Sequence, residues 1–386
     1  MGGLMGFLDL LFVPVNTFLL YAIPFLVALV VIVFIHELGH FLVARWCKVD
    51  VEAFSIGFGK EIVGWVDRKG TRWKICWIPL GGYVKFAGDA NVASMPQTVD
   101  DRSKLPPGNF HAKPVWQRAA VVAAGPIANF LLAIAIFATA YSMFGVPYSE
   151  PRVDEIVAGS VAEKAGFKVG DYVREIDGRE IKSFNDIQNA VWFRGGEQMS
   201  VVLDRSGQLI TVQVAPEIRE ESDGFGGKVK VGLLGIRDKI GAEGITYERL
   251  SPVDAVAKGA ERTWFIISTT FKFLGKLFQG QEDVKQIGGI GSMAKAAGDA
   301  ASAGVLQFVA VIAFLSVSIG LINLFPIPML DGGHLVYYAI EAVRGKPLGP
   351  VAQEWGFRIG FSLVLMLMLL GNGNDVIKGL SSYFGG

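Results

Sequence analysis

Two kinds of pattern alternate along the chain: long apolar runs, and stretches in which polar and apolar residues interleave. Residues 18–46, 115–144 and 305–324 are apolar over lengths that let a helix cross a hydrocarbon core, which takes about 20 residues. A fourth run, residues 357–370, is shorter but strongly apolar. Between the first two, residues 61–67 and 71–78 are rich in β-formers and joined by Asp67-Arg68-Lys69-Gly70, a hairpin signal. Pro79-Leu80-Gly81-Gly82 then turns the chain into Tyr83-Val84-Lys85-Phe86. Residues 91–109, rich in Pro, Ser, Asp and Gly, read as a mobile loop.

Residues 147–216 change to a soluble α+β pattern. Strand signals at 153–157, within 169–178 (a turn, a strand and a second turn), at 199–204 and at 209–214 surround a short capped helix at 160–166 and a helix at 184–193. This order resembles a PDZ domain of the circularly permuted bacterial type, present in one copy. Residues 217–232 are polar and Gly-rich and read as a linker. Residues 253–280 are apolar but interrupted by Lys258, Glu261, Arg262, Lys272 and Lys276, so 263–278 is expected to lie in the interface as an amphipathic helix. The fold class expected is a polytopic α-helical membrane protein of about four transmembrane helices. It carries a membrane-associated β-hairpin region and an inserted α+β, PDZ-like domain. The division expected is 1–146 (first membrane part), 147–218 (PDZ-like domain), 219–300 (linker and interfacial helix) and 301–386 (second membrane part).

Composition agrees with this and narrows it. Hydrophobic residues make up 51% and charged ones 19%, with mean hydropathy +0.42, which excludes a soluble enzyme or a disordered chain. The 36 Lys and Arg balance the 36 Asp and Glu, so no basic surplus points to nucleic acid. Cys47 and Cys76 are too few for a disulfide framework and read as small buried hydrophobes. Residues 1–35 carry one charge, Asp9, and no basic n-region, so the start reads as a retained span rather than a signal peptide. Arg45, Lys48, Lys60, Arg68, Lys69, Arg72 and Lys74 follow at once. By the positive-inside rule that loop is cytoplasmic, and both termini and the inserted domain lie outside.

The first apolar run contains His36-Glu37-Leu38-Gly39-His40. On a helix the two His share a face, about 6 Å apart along the axis. Two imidazoles so spaced can hold one zinc ion, with Glu37 placed as general base. Ionisable groups at that depth are costly and default to function. A catalytic zinc takes a third protein ligand. Asp331 is the best candidate, because Pro326 and Pro328 break the third span beside it and an unpaired carboxylate there is expensive. His334 competes for the role, whereas His111 reads as solvated. Gly125 and Pro126 read as packing residues. Asn129 is either a packing partner or a hydrogen-bonding group in or near the site. The hairpin is either an ordinary surface element or a free edge that holds an extended substrate by strand addition, with Gly81, Gly82 and Tyr83 as candidate contacts.

Taken together, His36 to His40, Gly125-Pro126-Ile127-Ala128-Asn129, and Asn323 through Asp331-Gly332 resemble the signature set of the site-2 protease family. The match is to its PDZ-bearing, RseP-like bacterial group, and it covers nearly the whole chain. The resemblance implies an intramembrane zinc metalloprotease with His36, His40 and Asp331 as ligands and Glu37 as base. It implies Asn323 near the scissile backbone and a hairpin region at about 61–86 that clamps substrate; Asn129 is counted beside Asn323 as a candidate substrate contact. It implies single-span membrane substrates of the anti-sigma-factor or remnant signal-peptide type. These would be cut in regulated intramembrane proteolysis after an upstream site-1 protease. The setting would be the bilayer of the bacterial inner membrane, with the active site towards the cytoplasm. The single PDZ-like module departs from the tandem pair of the enterobacterial member. Two other readings stand beside it: a non-catalytic receptor binding unfolded periplasmic ends through its PDZ module, and a metal transporter using the His pair as a transit site.

Overall fold

A computed structural model describes residues 2–88, 105–192, 194–222, 228–238, 246–280 and 283–384. The order begins with helix α1 (Gly2–Trp46), strands β1 (Val51–Val66) and β2 (Arg72–Phe86), and helix α2 (Val115–Phe144). There follow β3 (Val146–Tyr148), β4 (Glu155–Ile156), α3 (Val161–Lys164), β5 (Tyr172–Ile176), β6 (Arg179–Glu180) and α4 (Phe184–Val191). Strands β7 (Met199–Arg205), β8 (Gln208–Val214), β9 (Glu217–Ser222), β10 (Lys228–Leu233), β11 (Ile236–Arg237) and β12 (Thr246–Glu248) come next. Five helices complete the described chain: α5 (Pro252–Phe278), α6 (Ile290–Ala303), α7 (Val305–Asn323), α8 (Asp331–Arg344) and α9 (Pro350–Phe384). The chain divides into two units. One comprises Met1–Phe137, Gly259–Ser268 and Ile287–Gly386, the other Ala138–Lys258 and Thr269–Gln286.

Among the described residues, four helical stretches are long and apolar enough to cross a membrane: Phe18–Trp46, Val115–Phe144, Val305–Asn323 and Pro350–Lys378. They fit a polytopic helical membrane protein. The fourth is longer than the apolar run 357–370, because polar residues at both ends continue the same helix.

The hairpin is larger than the sequence pattern suggested. Its turn is the expected one, with Asp67 Oδ1 accepting from the backbone N–H groups of Lys69 and Thr71. Strand β1, however, begins at Val51, and β2 runs through Pro79–Gly82 without ending there. Residues 51–56 pair on one side with 82–86 and on the other with 72–75, while 61–66 pair with 72–76. Two bent strands thus make four rungs in the order 82–86, 51–56, 72–76, 61–66. Gly57 and Gly59, at φ +85° and +86°, allow β1 to bend back between its two partners. Phe34 and Phe41 of α1 hold the sheet through Phe54, which stacks on Trp73 at 4.3 Å. Full burial of Phe54 contributes about 2–3 kcal/mol.

Helix α6 is an element the pattern did not reveal. Its Ala, Gly and Ser residues give little hydropathic contrast, but they let it approach α1 closely. A Cβ on Gly298 would press on Tyr21 and come 2.9 Å from the Leu20 carbonyl oxygen. Asp375 of α9 accepts from the N–H groups of Gly289 and Ser292, and Asn372 Oδ1 accepts from Ile290, so the start of α6 is satisfied by side chains.

The second unit carries the α+β module. Its sheet runs β6-β5-β7-β8, closed by tight turns at Asp177-Gly178 and Ser206-Gly207 in which both residues have positive φ. Val153, Phe167, Val173, Ile187, Val201 and Leu203 fill the core. Residues 217–232 are not a plain linker. β9 and β10 form an antiparallel hairpin, β11 pairs with β4, and Leu234 joins the core, so the module extends to Arg237. Lys230 is exposed and Val231 buried, an alternation too short to stand out in the sequence. Residues 91–104 of the expected mobile loop, and 223–227 of the expected linker, lie outside the described residues. Helix α5 starts at an N-cap, Ser251, and exposes Trp264, Phe271 and Phe278 along a helix interrupted by charges.

Candidate active site

His36 and His40 sit one turn apart on α1, with rings edge-to-face at 4.8 Å and Nε2 atoms 3.2 Å apart. Asp331 is the first residue of α8, and its Oδ2 lies 3.2 Å from His36 Nε2 and 3.5 Å from His40 Nε2. The three donor atoms fall within 4.8 Å of one another. Tetrahedral zinc, with bonds of about 2.0–2.2 Å, requires ligand atoms about 3.3 Å apart. The spacing found here fits it. So does the donor set, two imidazole nitrogens and a carboxylate. Asp331 Oδ2 is buried and makes no hydrogen bond, a costly state that a cation relieves.

The link from α7 to α8 explains how Asp331 arrives. Pro326 and Pro328 supply no N–H, and Met329 takes φ 110°, a strained value for a residue with a Cβ. Gly332 and Gly333 lie so close to the carbonyls of Leu324, Phe325 and Ile327 that no Cβ would fit. The folded-back link aims the first side chain of α8 at the His pair. Sequence distance is bridged by packing alone.

Helix α2 runs antiparallel to this stretch of α1 and meets it with residues spaced by four. The Val121 carbonyl accepts from His40 Nδ1 at 2.9 Å, which fixes that tautomer and leaves the Nε2 lone pair towards the site. Gly125 stands opposite both Nε2 atoms; a Cβ there would press on His40 Nε2 and lie 2.8 Å from His36 Nε2. The sequence had suggested packing for Gly125. The structure agrees and names the partners: its bare face packs against both imidazoles. Asn129 is fully buried, with Nδ2 3.3 Å from His36 Nδ1. It sits behind the His36 ring and is not among the residues lining the cavity.

A cavity of about 370 Å³ opens at the site. Glu37, Asn323, Gly81, Gly82 and Tyr83 all line it. Gly82 brings the 82–86 edge against α1: a Cβ would come 2.9 Å from Val33 Cγ1 and 3.1 Å from Glu37 Cγ. The backbone of Val84 is within hydrogen-bonding reach of the Glu37 carboxylate. His334 also lines the cavity but lies outside the set of converging donors, which leaves Asp331 as the third member. His111, expected on a solvated loop, is half-buried beside Phe110 and faces the same cavity. One feature escaped the sequence entirely. Arg118 of α2 and Glu341 of α8, 223 residues apart, form a buried two-bond ion pair that ties the helix bearing Asp331 to the helix bearing Gly125. Two opposite charges so distant in sequence give no local signal.

Comparison with known proteins follows the same lines. Peptidase family M50 matches residues 24–367. The metalloprotease MmpA of Caulobacter vibrioides is 42% identical over 385 residues, covering 93% of this chain and 96% of that one. A Rhizobium meliloti protein, provisionally named a zinc metalloprotease, is 45% identical over 364 residues, covering 92% and 96%. A similarly named protein of Agrobacterium fabrum is 44% identical over 363 residues, covering 92% and 95%.

Proposed function

The chain belongs to peptidase family M50, the site-2 proteases, as a zinc metalloprotease, and from that premise we propose that it is an intramembrane endopeptidase cutting single-span membrane proteins. The observation that carries this reading is the convergence of His36, His40 and Asp331 beside Glu37, inside a helix apolar enough to cross a membrane. His36, His40 and Asp331 would hold the metal. When bound, zinc supplies Lewis acidity, polarising the scissile carbonyl and acidifying the attacking water towards neutrality.

Glu37 takes one proton from that water as its oxygen bonds to the carbonyl carbon. As the C–N bond breaks, Glu37 returns the proton to the departing amine, so the carboxylate is regenerated. A transmembrane helix conceals its peptide bonds in its own hydrogen bonds, and substrate must unwind before it reacts. The 82–86 segment, the outermost rung of the sheet among the described residues, offers backbone partners in exchange, and Gly81, Gly82 and Tyr83 face the chain so held. Asn323, at the last turn of α7, would take a further freed backbone group.

By the resemblance to site-2 proteases, the substrates would be anti-sigma-factor-type proteins or remnant signal peptides, trimmed first by a site-1 protease in regulated intramembrane proteolysis. The basic residues after the first span support a bacterial inner-membrane protein with its site towards the cytoplasm. On that topology, both termini and the PDZ-like module are periplasmic.

The test is zinc content and cleavage of a model single-span protein by the purified full chain. Glu37→Gln is expected to keep stoichiometric zinc and substrate binding while cleavage falls at least about 1,000-fold, a loss in the range seen for removal of a general acid–base group. Undiminished proteolysis by that variant would sink the assignment.

A further inference from the structure

Each metal-facing imidazole needs its other nitrogen committed, or its tautomer is undetermined. His40 is committed by a backbone carbonyl, that of Val121. For His36 the group in reach of Nδ1 is a side chain, the terminal amide of Asn129 at 3.3 Å. We infer that Asn129 is the positioning residue for His36, its amide oxygen accepting the Nδ1 proton and thereby presenting the Nε2 lone pair to the metal. This rests on the reading above, that His36 is a ligand.

Three observations carry it. The amide is fully buried and absent from the cavity wall, so its partner is the ring rather than substrate. Oδ1 has no hydrogen-bond partner, which makes it an acceptor available for assignment. The amide offers a donor and an acceptor of nearly equal size, and a half-turn about its last bond exchanges them without moving the backbone. With Nδ2 towards the ring, Nδ1 must be the acceptor and the proton sits on Nε2, where a metal cannot be bound. With Oδ1 towards the ring, the proton sits on Nδ1 and Nε2 is open.

The backbone of Asn129 is itself held fast. Ser316 Oγ donates to its carbonyl at 2.9 Å, and the bare face of Gly320 on α7 lies where a Cβ would be 3.1 Å from Asn129 Cβ. The arrangement is a stripe on α2: a carbonyl for one imidazole at Val121, room at Gly125, and an amide for the other imidazole at Asn129.

The experiment measures zinc dissociation constants of the intact detergent-solubilised protein by competition with a chromophoric chelator, for wild type, His36→Ala, Asn129→Leu and Asn129→Asp. Removing a ligand-orienting partner typically weakens metal binding 10–100-fold. Asn129→Leu, which keeps the volume and loses the acceptor, is expected to do so. Asn129→Asp, which keeps an acceptor, is expected to stay within about threefold of wild type by the same reasoning. Wild-type affinity in Asn129→Leu overturns the inference, as does an Asp variant as weak as the Leu one. If Asn129→Leu does not fold, the Asp variant decides alone, since a purely structural role would make a buried charge the worse substitution. Zinc retained in His36→Ala overturns the ligand assignment itself, a result separate from the others.

Discussion

The two units each hold an aspartate with a buried carboxylate oxygen, and they do opposite things with it. In the α+β module, Asp171 is 1% exposed and fully engaged: Arg205 donates to both of its oxygens at 2.7 Å, and the backbone of Lys168 donates at 2.8 Å. In the membrane unit, Asp331 Oδ2 is buried with two imidazole nitrogens near it and no hydrogen bond. The first carboxylate is spent on holding β5 and β7 together. The second is kept unsaturated, and strained backbone at Met329 and two glycines without room for a Cβ are tolerated to place it. A saturated buried charge is architecture, whereas an unsaturated one, held where it is costly, is a site.

That contrast breaks most sharply at Asp331. Changing Asp331→Ala should reduce cleavage of a single-span substrate by at least about 1,000-fold and remove zinc from the purified protein, in keeping with loss of one of three protein ligands. Hydrogen exchange in residues 153–237 should be unchanged. Full zinc occupancy in this variant would transfer the third position to His334.

Gly125→Ala is the next largest effect. Its new methyl lies against both Nε2 atoms, so zinc affinity should fall about 100-fold, at the upper end of what disturbed ligand orientation costs. Chelator competition measures it, and helix content by circular dichroism should be preserved.

In the module the expected pattern reverses. Asp171→Ala leaves the guanidinium of Arg205 without its partner and should destabilise the module by about 2–4 kcal/mol, with Arg205 partly solvated at the lower end. Hydrogen exchange across β5 and β7 reads the loss, while zinc content stays at the wild-type level.

The smallest effect is on pH dependence. Burial opposes ionisation of Asp171, but the Arg205 guanidinium and the Lys168 N–H outweigh it and hold the carboxyl below its ordinary range. The unfolded chain, titrating near about 3.9, therefore takes up the proton first. Stability from this pair is complete above that value and is lost as pH falls through the lower folded value. Protection of β5 should decline below about pH 4 in wild type and decline less in Asp171→Ala. Equal slopes in the two proteins would remove Asp171 from the account.

The amino-acid sequence alone determined whatever depends on neighbours a few residues apart. Apolar runs marked the four membrane-length helices, the spacing of His36 and His40 put both on one face, and Pro326 and Pro328 announced a broken helix before Asp331. Alternation and capping residues located most of the α+β module, from the N-cap Ser160 to β8. Tertiary structure decided the rest. Residues 51–56 became a middle strand because two segments of β2 flank them, and α6 formed on the surface of α1 without a hydropathic signature of its own. Arg118 met Glu341 only because α2 and α8 pack together. The roles of Gly125 and Asn129 follow from the antiparallel meeting of α1 and α2. A glycine is a vacancy, and an amide is a switchable donor or acceptor, so neither declares its use until a partner stands opposite. Chemistry written in one helix turn is legible in sequence, whereas the room and orientation it needs are supplied by other helices through packing.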